Sequence, residues 1–227
     1  MRNAKGRPAT VLLGVTLCLL ALAGCGGRQI RTVIPEYQTR TGVIPAMPGA
    51  GRRVIAICHF QAPREGADIG VNYQSLVLGI GRHKTNNLVL GNDLGKVLAE
   101  AFAFQLRAAG FKTVVVENEV AVGALRRASR PDAVLTGSVD SLDLNFAVAV
   151  ATESAGKLQC TVVLRRSDLK KVLARVQAAD RDKARAVLQP SGKLATAVAN
   201  ELVTTVVDEI CKKPEFQSAL RKLAAGS

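Results

Sequence analysis

The 227 residues contain no tryptophan, two tyrosines and two histidines. A surface that stacks nucleobases or sugars needs exposed rings, so this aromatic poverty argues against one. With only His59 and His83 present, a multi-histidine metal site is excluded. The glycine motifs are incomplete as well. Gly79-Ile80-Gly81 lacks the third glycine of a dinucleotide loop. The run from Gly91 to Lys96 is one residue short of a phosphate-binding loop and lacks its Ser/Thr. Gly137-Ser138-Val139 lacks the second glycine of a nucleophile elbow. Asp140 and Asp143 read as solvated charges at a bend rather than as a paired acid and base. The expectation is a protein that is not an enzyme and holds no cofactor or metal.

What is present begins at the N-terminus. Arg2, Lys5 and Arg7 precede an apolar run at 11–23, and no acid occurs in the first 24 residues. The run is shorter than the roughly 20 residues that span a bilayer. Charged start, apolar middle and small residues at the end make a secretory signal. The last four positions, Leu22-Ala23-Gly24-Cys25, resemble a bacterial lipobox. That resemblance implies cleavage before Cys25, diacylation of its sulfur and a mature chain that starts there. Ordinary signal cleavage beside an incidental cysteine is the plain alternative. Several acyl chains, at about 0.8 kcal/mol per buried CH₂, hold a protein stably on a membrane. Gly26 follows the cysteine where Asp would retain an enterobacterial lipoprotein. This implies the outer membrane, facing the periplasm, with the inner membrane left open.

Beyond the signal, 28 basic residues face 18 acids, a net charge of +10. In the periplasm such a balance suits anionic lipid or peptidoglycan better than nucleic acid. Arg126, Arg127 and Arg130 form a candidate docking patch. The plain reading for them, as for Arg165/Arg166, Lys170/Lys171 and Lys212/Lys213, is a solvated face. Cys58, Cys160 and Cys211 remain after the signal and anchor. Cys160 and Cys211 are inward-phased and make a candidate disulfide in an oxidising compartment; three buried thiols are the other reading.

Residues 1–24 are assigned to the signal, 25–52 to a lipidated cysteine and flexible tether, and 53–227 to a folded domain. A tether of about 27 residues reaches on the order of 30 Å. The domain opens on Arg53–Phe60, an apolar β-branched run that suits a buried strand. Residues 61–91 are long for a connection and suggest a mobile or accessory hairpin. A helix follows, capped by Asn92 or Asp93 and closed by Gly110, with Leu94, Leu98, Phe102 and Leu106 on one stripe. A strand, a short helix near 120–128 and a long β segment from Pro131 come next. The apolar phase of that segment switches near Asp140-Ser141, which requires a bulge. Two more strands and a helix from Ser191 to about Lys212 complete the order, and Pro214 opens a last helix. The fold class is α+β, a mostly antiparallel sheet with helices packed on one face.

Set together, the lipobox, the first strand, the Ala109-Gly110-Phe111 passage from helix to strand and the closing Pro214-Glu215-Phe216 resemble the YajG-type bacterial lipoproteins. More broadly, the layout is similar to the auxiliary lipoproteins of ABC-type transporters. The resemblance implies an envelope lipoprotein and supplies no catalytic residue. The functional expectation is a membrane-anchored accessory that binds an envelope protein, a transporter or anionic lipid. A carrier that holds a lipid or cell-wall fragment beneath the 61–91 segment is the alternative.

Overall fold

The computed structural model describes residues 31–75, 82–128, 131–148, 152–186 and 191–226. Eight strands form one open mixed sheet: β1 (Arg31–Val33), β2 (Val54–Cys58), β3 (Asp68–Ser75), β4 (Arg82–Leu90), β5 (Lys112–Val116), β6 (Ala133–Val148), β7 (Thr152–Arg166) and β8 (Val172–Ala186). Four helices accompany them: α1 (Leu94–Ala108), α2 (Glu119–Ala128), α3 (Ser191–Lys212) and α4 (Pro214–Ala225). The class is α+β.

The long strand β6 is the spine. It pairs antiparallel with β7 along its whole length, and β7 pairs antiparallel with β8. On its other side β6 carries two strands in succession, both parallel to it. Its start pairs with β2, from Ile55↔Ala133 to Ile57↔Leu135, and its end with β3, from Gly70↔Leu144 to Gln74↔Val148. Between these two stretches the β6–β7 register shifts, between Val139 and Ser141. That is the bulge the apolar phase demanded. β5 extends the sheet beyond β2, while β4 and then β1 extend it beyond β3.

One face of the sheet is covered by α1, α3 and α4. Ile55, Ile57, Leu135 and Cys160 share a core with Leu98, Phe102, Leu202, Val206 and Leu220. The alternate residues Ala56, Cys58 and Val134 point the other way and meet Val122 of α2. The single helical layer thus holds for three helices, and α2 lies on the opposite face. Strict side-chain alternation makes both faces of β2 apolar and gives α2 its seat.

The start of α1 follows from its sequence. The Asp93 carboxylate accepts the Lys96 amide at 3.0 Å, and Leu94, Leu98, Phe102 and Leu106 are fully buried. Gly110 closes the helix at φ +101°, a left-handed geometry that glycine adopts without strain. Gly95 has a packing role. A Cβ there would stand 2.2 Å from the Phe60 carbonyl oxygen, so glycine lets the first helical turn press against the end of β2.

Three expectations are corrected. The tether does not extend over 31–52. β1 is part of the sheet, and Ile44, Met47 and Ala50 are buried in the core. Between them the chain straps across α3 and α1. The Glu36 and Gln38 amides donate to Asn200 and Thr204 at 2.8 and 3.0 Å, and Arg40 pairs with Glu201 and Asp208 at 2.9 and 3.5 Å. Tyr37 donates to Asp208 at 3.2 Å and accepts from Gln105. Burial pushes the Tyr37 hydroxyl up to about 12. Polar partners on distant helices hold this Gly- and Pro-rich stretch, which is why no periodicity marks it. The second correction concerns 61–91, whose hairpin is no accessory: β3 and β4 are interior strands of the sheet. The third is the Cys160–Cys211 disulfide. Both thiols are free and buried, as is Cys58. A shared core is insufficient for a bond that needs Cβ atoms about 3.8 Å apart in one orientation.

Candidate functional site

β2 and β5 run side by side and stop at the same level, Cys58 opposite Val116. From there the two chains diverge. Glu117 and Asn118 turn into α2, where the Asn118 side chain accepts the Ala121 amide at 3.0 Å. His59 to Gln61 cross over to β6, and Gln61 forms a bridge with Ser138. Beside this fork lies the outer face of β6, β7 and β8. Because Cys160, Val162 and Leu164 point into the core, Thr161, Val163 and Arg165 point out. Arg175 and Gln177 of β8 stand opposite Val163 and Thr161.

These elements enclose an open cleft of about 430 Å³. Its lining includes Thr136, Ser138, Thr161, Glu119, Arg165 and Arg175. Arg165 pairs with Glu119 at 3.0 Å. The Arg175 side chain makes no hydrogen bond or ion pair with any described residue. At the neighbouring bulge, Asp140 accepts from Thr161 at 2.6 Å, Ser138 at 2.8 Å and Gln177 at 3.1 Å. Partial burial acts to raise its pKa, but the three hydrogen bonds outweigh it and hold the carboxyl below its ordinary value.

The chemistry open to the cleft follows from these contacts. Burial, helped by the charge of Glu119, pushes the Cys58 thiol up to about 11. It is therefore protonated at neutral pH, and a thiol is a poor nucleophile. The Ser138 and Thr161 hydroxyls donate to Asp140 rather than to an imidazole. His59 sits with Nδ1 3.9 Å from Asp93 Oδ2. Among the described residues no cluster of three or more His, Cys, Asp or Glu is arranged to hold a metal ion. The Arg175 guanidinium is left without a described partner at the cleft, which suits recognition of an anionic group.

None of the described side chains that line the cleft belongs to an expected site residue. Cys25 and Arg130 are outside the described residues, as are the side chains of Arg126 and Arg127 on α2. Cys160 and Cys211 lie in the core. Arg165, Arg175 and Glu119 were missed as a group. The outward phase of Arg165 and Arg175 was readable, but their meeting with α2 depends on the sheet.

No family model matches the chain, and no curated protein matches it. Solved structures are similar to it at low identity. A Xanthomonas campestris protein of the DUF330 family is similar at 12% identity, over 82% of this chain and 96% of that one, with a TM-score of 0.49. A Helicobacter pylori homologue of neuraminyllactose-binding hemagglutinin is similar at 8% identity, over 85% and 100%, also at 0.49. A Neisseria meningitidis lipoprotein is similar at 16% identity, over 71% and 99%, at 0.37. Likenesses this distant carry no argument about activity. The YajG-type resemblance rests on its short motifs alone.

Proposed function

We propose that this chain is a lipoprotein anchored by Cys25 in the outer membrane, facing the periplasm. In this reading it acts by binding, not by catalysis, as an accessory in envelope maintenance or lipid transport. The observation that carries the binding part is the cleft at the fork of β2 and β5. Arg175 faces it with no described partner, while the groups suited to chemistry are otherwise engaged. A guanidinium recognises carboxylate or phosphate through paired, charge-assisted hydrogen bonds. The lipobox carries the anchoring part, since it is the cysteine sulfur that receives the lipid.

The carrier reading transfers to the same cleft. The 61–91 segment contributes β3 and β4 to the sheet, and among its described residues the cleft borders only Gln61. A lipid or cell-wall fragment would engage Arg175 through its anionic group. Photo-crosslinking in intact cells tests both, with the reactive group at position 175 or, as a control, at exposed Lys112. Discrete adducts from 175 and none from 112 are expected, and mass spectrometry of the adduct tells protein from lipid. Equal yields at both positions, or none at 175, count against the cleft.

A further inference from the structure

Apart from His59, the charged residues that line the cleft are two acids and two arginines: Glu117, Glu119, Arg165 and Arg175. Glu119 and Arg165 neutralise each other at 3.0 Å. The other two are left over, one of each sign. The Glu117 side chain, like that of Arg175, makes no hydrogen bond or ion pair with any described residue. Both residues are exposed.

The sheet explains why these two do not pair with each other. Glu117 directly follows β5, and from β5 the strands run through β2, β6 and β7 to β8, which carries Arg175. Four strand spacings put the two backbones about 19 Å apart. Val115, Ile57, Leu135, Leu164 and Ala174 form one row across these strands. Glu117 lies two residues beyond one end of that row and Arg175 one residue beyond the other, in the same direction. The two charges thus stand at one level on opposite sides of the cleft. Its volume of about 430 Å³ falls within the range of small-ligand sites. Gln61, Asn118 and Thr136 add neutral hydrogen-bonding groups to the lining.

We propose that the cleft takes a short peptide with free ends, its carboxylate on Arg175 and its ammonium on Glu117. The proposal rests on the reading that Arg175 recognises an anionic group, and it gives that ligand a second charge of opposite sign. The width of the cleft decides the class. A small ion whose two charges sit on neighbouring atoms reaches one side only. An extended peptide of three residues spans roughly 10 Å, and the long side chains of Arg175 and Glu117 cover the remainder. A guanidinium holds a carboxylate through paired hydrogen bonds, and a carboxylate accepts those of an ammonium. The peptide groups in between meet the amides of Gln61 and Asn118 and the hydroxyl of Thr136. A purely anionic ligand would satisfy Arg175 and be repelled by Glu117.

The test is calorimetric titration of the full chain in detergent with trialanine, N-acetyl-trialanine and trialanine amide. The native chain is compared with Arg175→Gln and Glu117→Gln, both at exposed positions. Trialanine is expected to bind the native chain at least about tenfold more tightly than either blocked peptide, because each block removes one charge-assisted contact. Arg175→Gln should no longer distinguish trialanine from its amide, and Glu117→Gln should no longer distinguish it from the acetylated peptide. A parallel titration with Ala-D-Ala-D-Ala tells a cell-wall peptide from a protein-derived one by which binds more tightly. If the acetylated peptide binds as tightly as trialanine while the amide does not, the proposal is overturned and the anionic reading of Arg175 stands. If blocking the carboxylate changes nothing, that reading falls and the proposal with it. Binding of none of the peptides also overturns the proposal, and inorganic phosphate titrated into the native chain and Arg175→Gln then decides the anionic reading separately.

Discussion

At the scale of single residues, burial and hydrogen bonding together decide what each thiol and carboxylate can do. Cys160 is pushed up to about 12 by burial, with the charge of Asp140 adding to it, and burial raises Cys211 further. The native domain should therefore resist a thiol reagent. Unfolded without reductant, it should release three titratable thiols apart from Cys25. A deficit of two would reinstate the Cys160–Cys211 bond. Asp140 and Asp208 respond to pH with opposite sign. The Asp140 pKa is lowered, so its stabilisation is complete above the unfolded value and is lost as pH falls through the folded one. Asp140→Ala should cost about 1 kcal/mol at neutral pH, and the gap from the native chain should close in acid. A gap that stays constant in denaturation at every pH would contradict this. Asp208 is raised, by burial above all, against the opposing pull of Tyr37, Arg40 and Lys212. Its contribution is present at low pH and fades as pH rises through the folded value.

At the scale of elements, α1 and the strap over α3 hold the domain together by different means. Phe102 is fully buried, its ring stacked on Phe60 at 5.4 Å and edge-on to Phe216 at 6.4 Å. Phe102→Ala should cost about 3–5 kcal/mol through the cavity it leaves. A loss well under 1 kcal/mol in urea unfolding would mean that the helix face does not pack as described. The strap relies on polar contacts. Tyr37→Phe removes the hydroxyl shared by Gln105 and Asp208 and leaves the buried Gln105 amide short of a partner. The expected cost is about 1–3 kcal/mol, together with faster proteolytic cleavage within 34–50. Unchanged cleavage would mean that other contacts hold the strap.

At the scale of the whole molecule, the proposed anchor and the domain are read together. No helix among the described residues is long and apolar enough to cross a membrane, so in the proposed reading attachment depends on Cys25. Cys25→Ser should yield unprocessed precursor or a soluble periplasmic protein on cell fractionation. Mature, membrane-bound Cys25→Ser protein would refute the anchor. Because the strap consumes residues once counted as tether, the search volume of the domain is small. In the proposed reading, partners then come to the membrane surface.

Local signals in the sequence carried most of the fold. Apolar alternation placed β6, β7 and β8 and required the bulge at Asp140; a capping aspartate and a closing glycine bounded α1; Pro214 separated α4 from α3. Each signal depends on neighbours within a few residues, and the chain order records those directly. The lipobox is of the same kind, four consecutive residues after an apolar run. What the tertiary structure alone decided involves residues far apart in the chain. The strap is held by side chains more than 160 positions away, and no composition signals such partners. The seat of α2 depends on which alternate residues of β2 and β6 are left uncovered. The cleft exists because β2 and β5 end at one level beside the outward row of β7 and β8. A one-dimensional pattern specifies which way a side chain points, and only the packed sheet decides what it meets there.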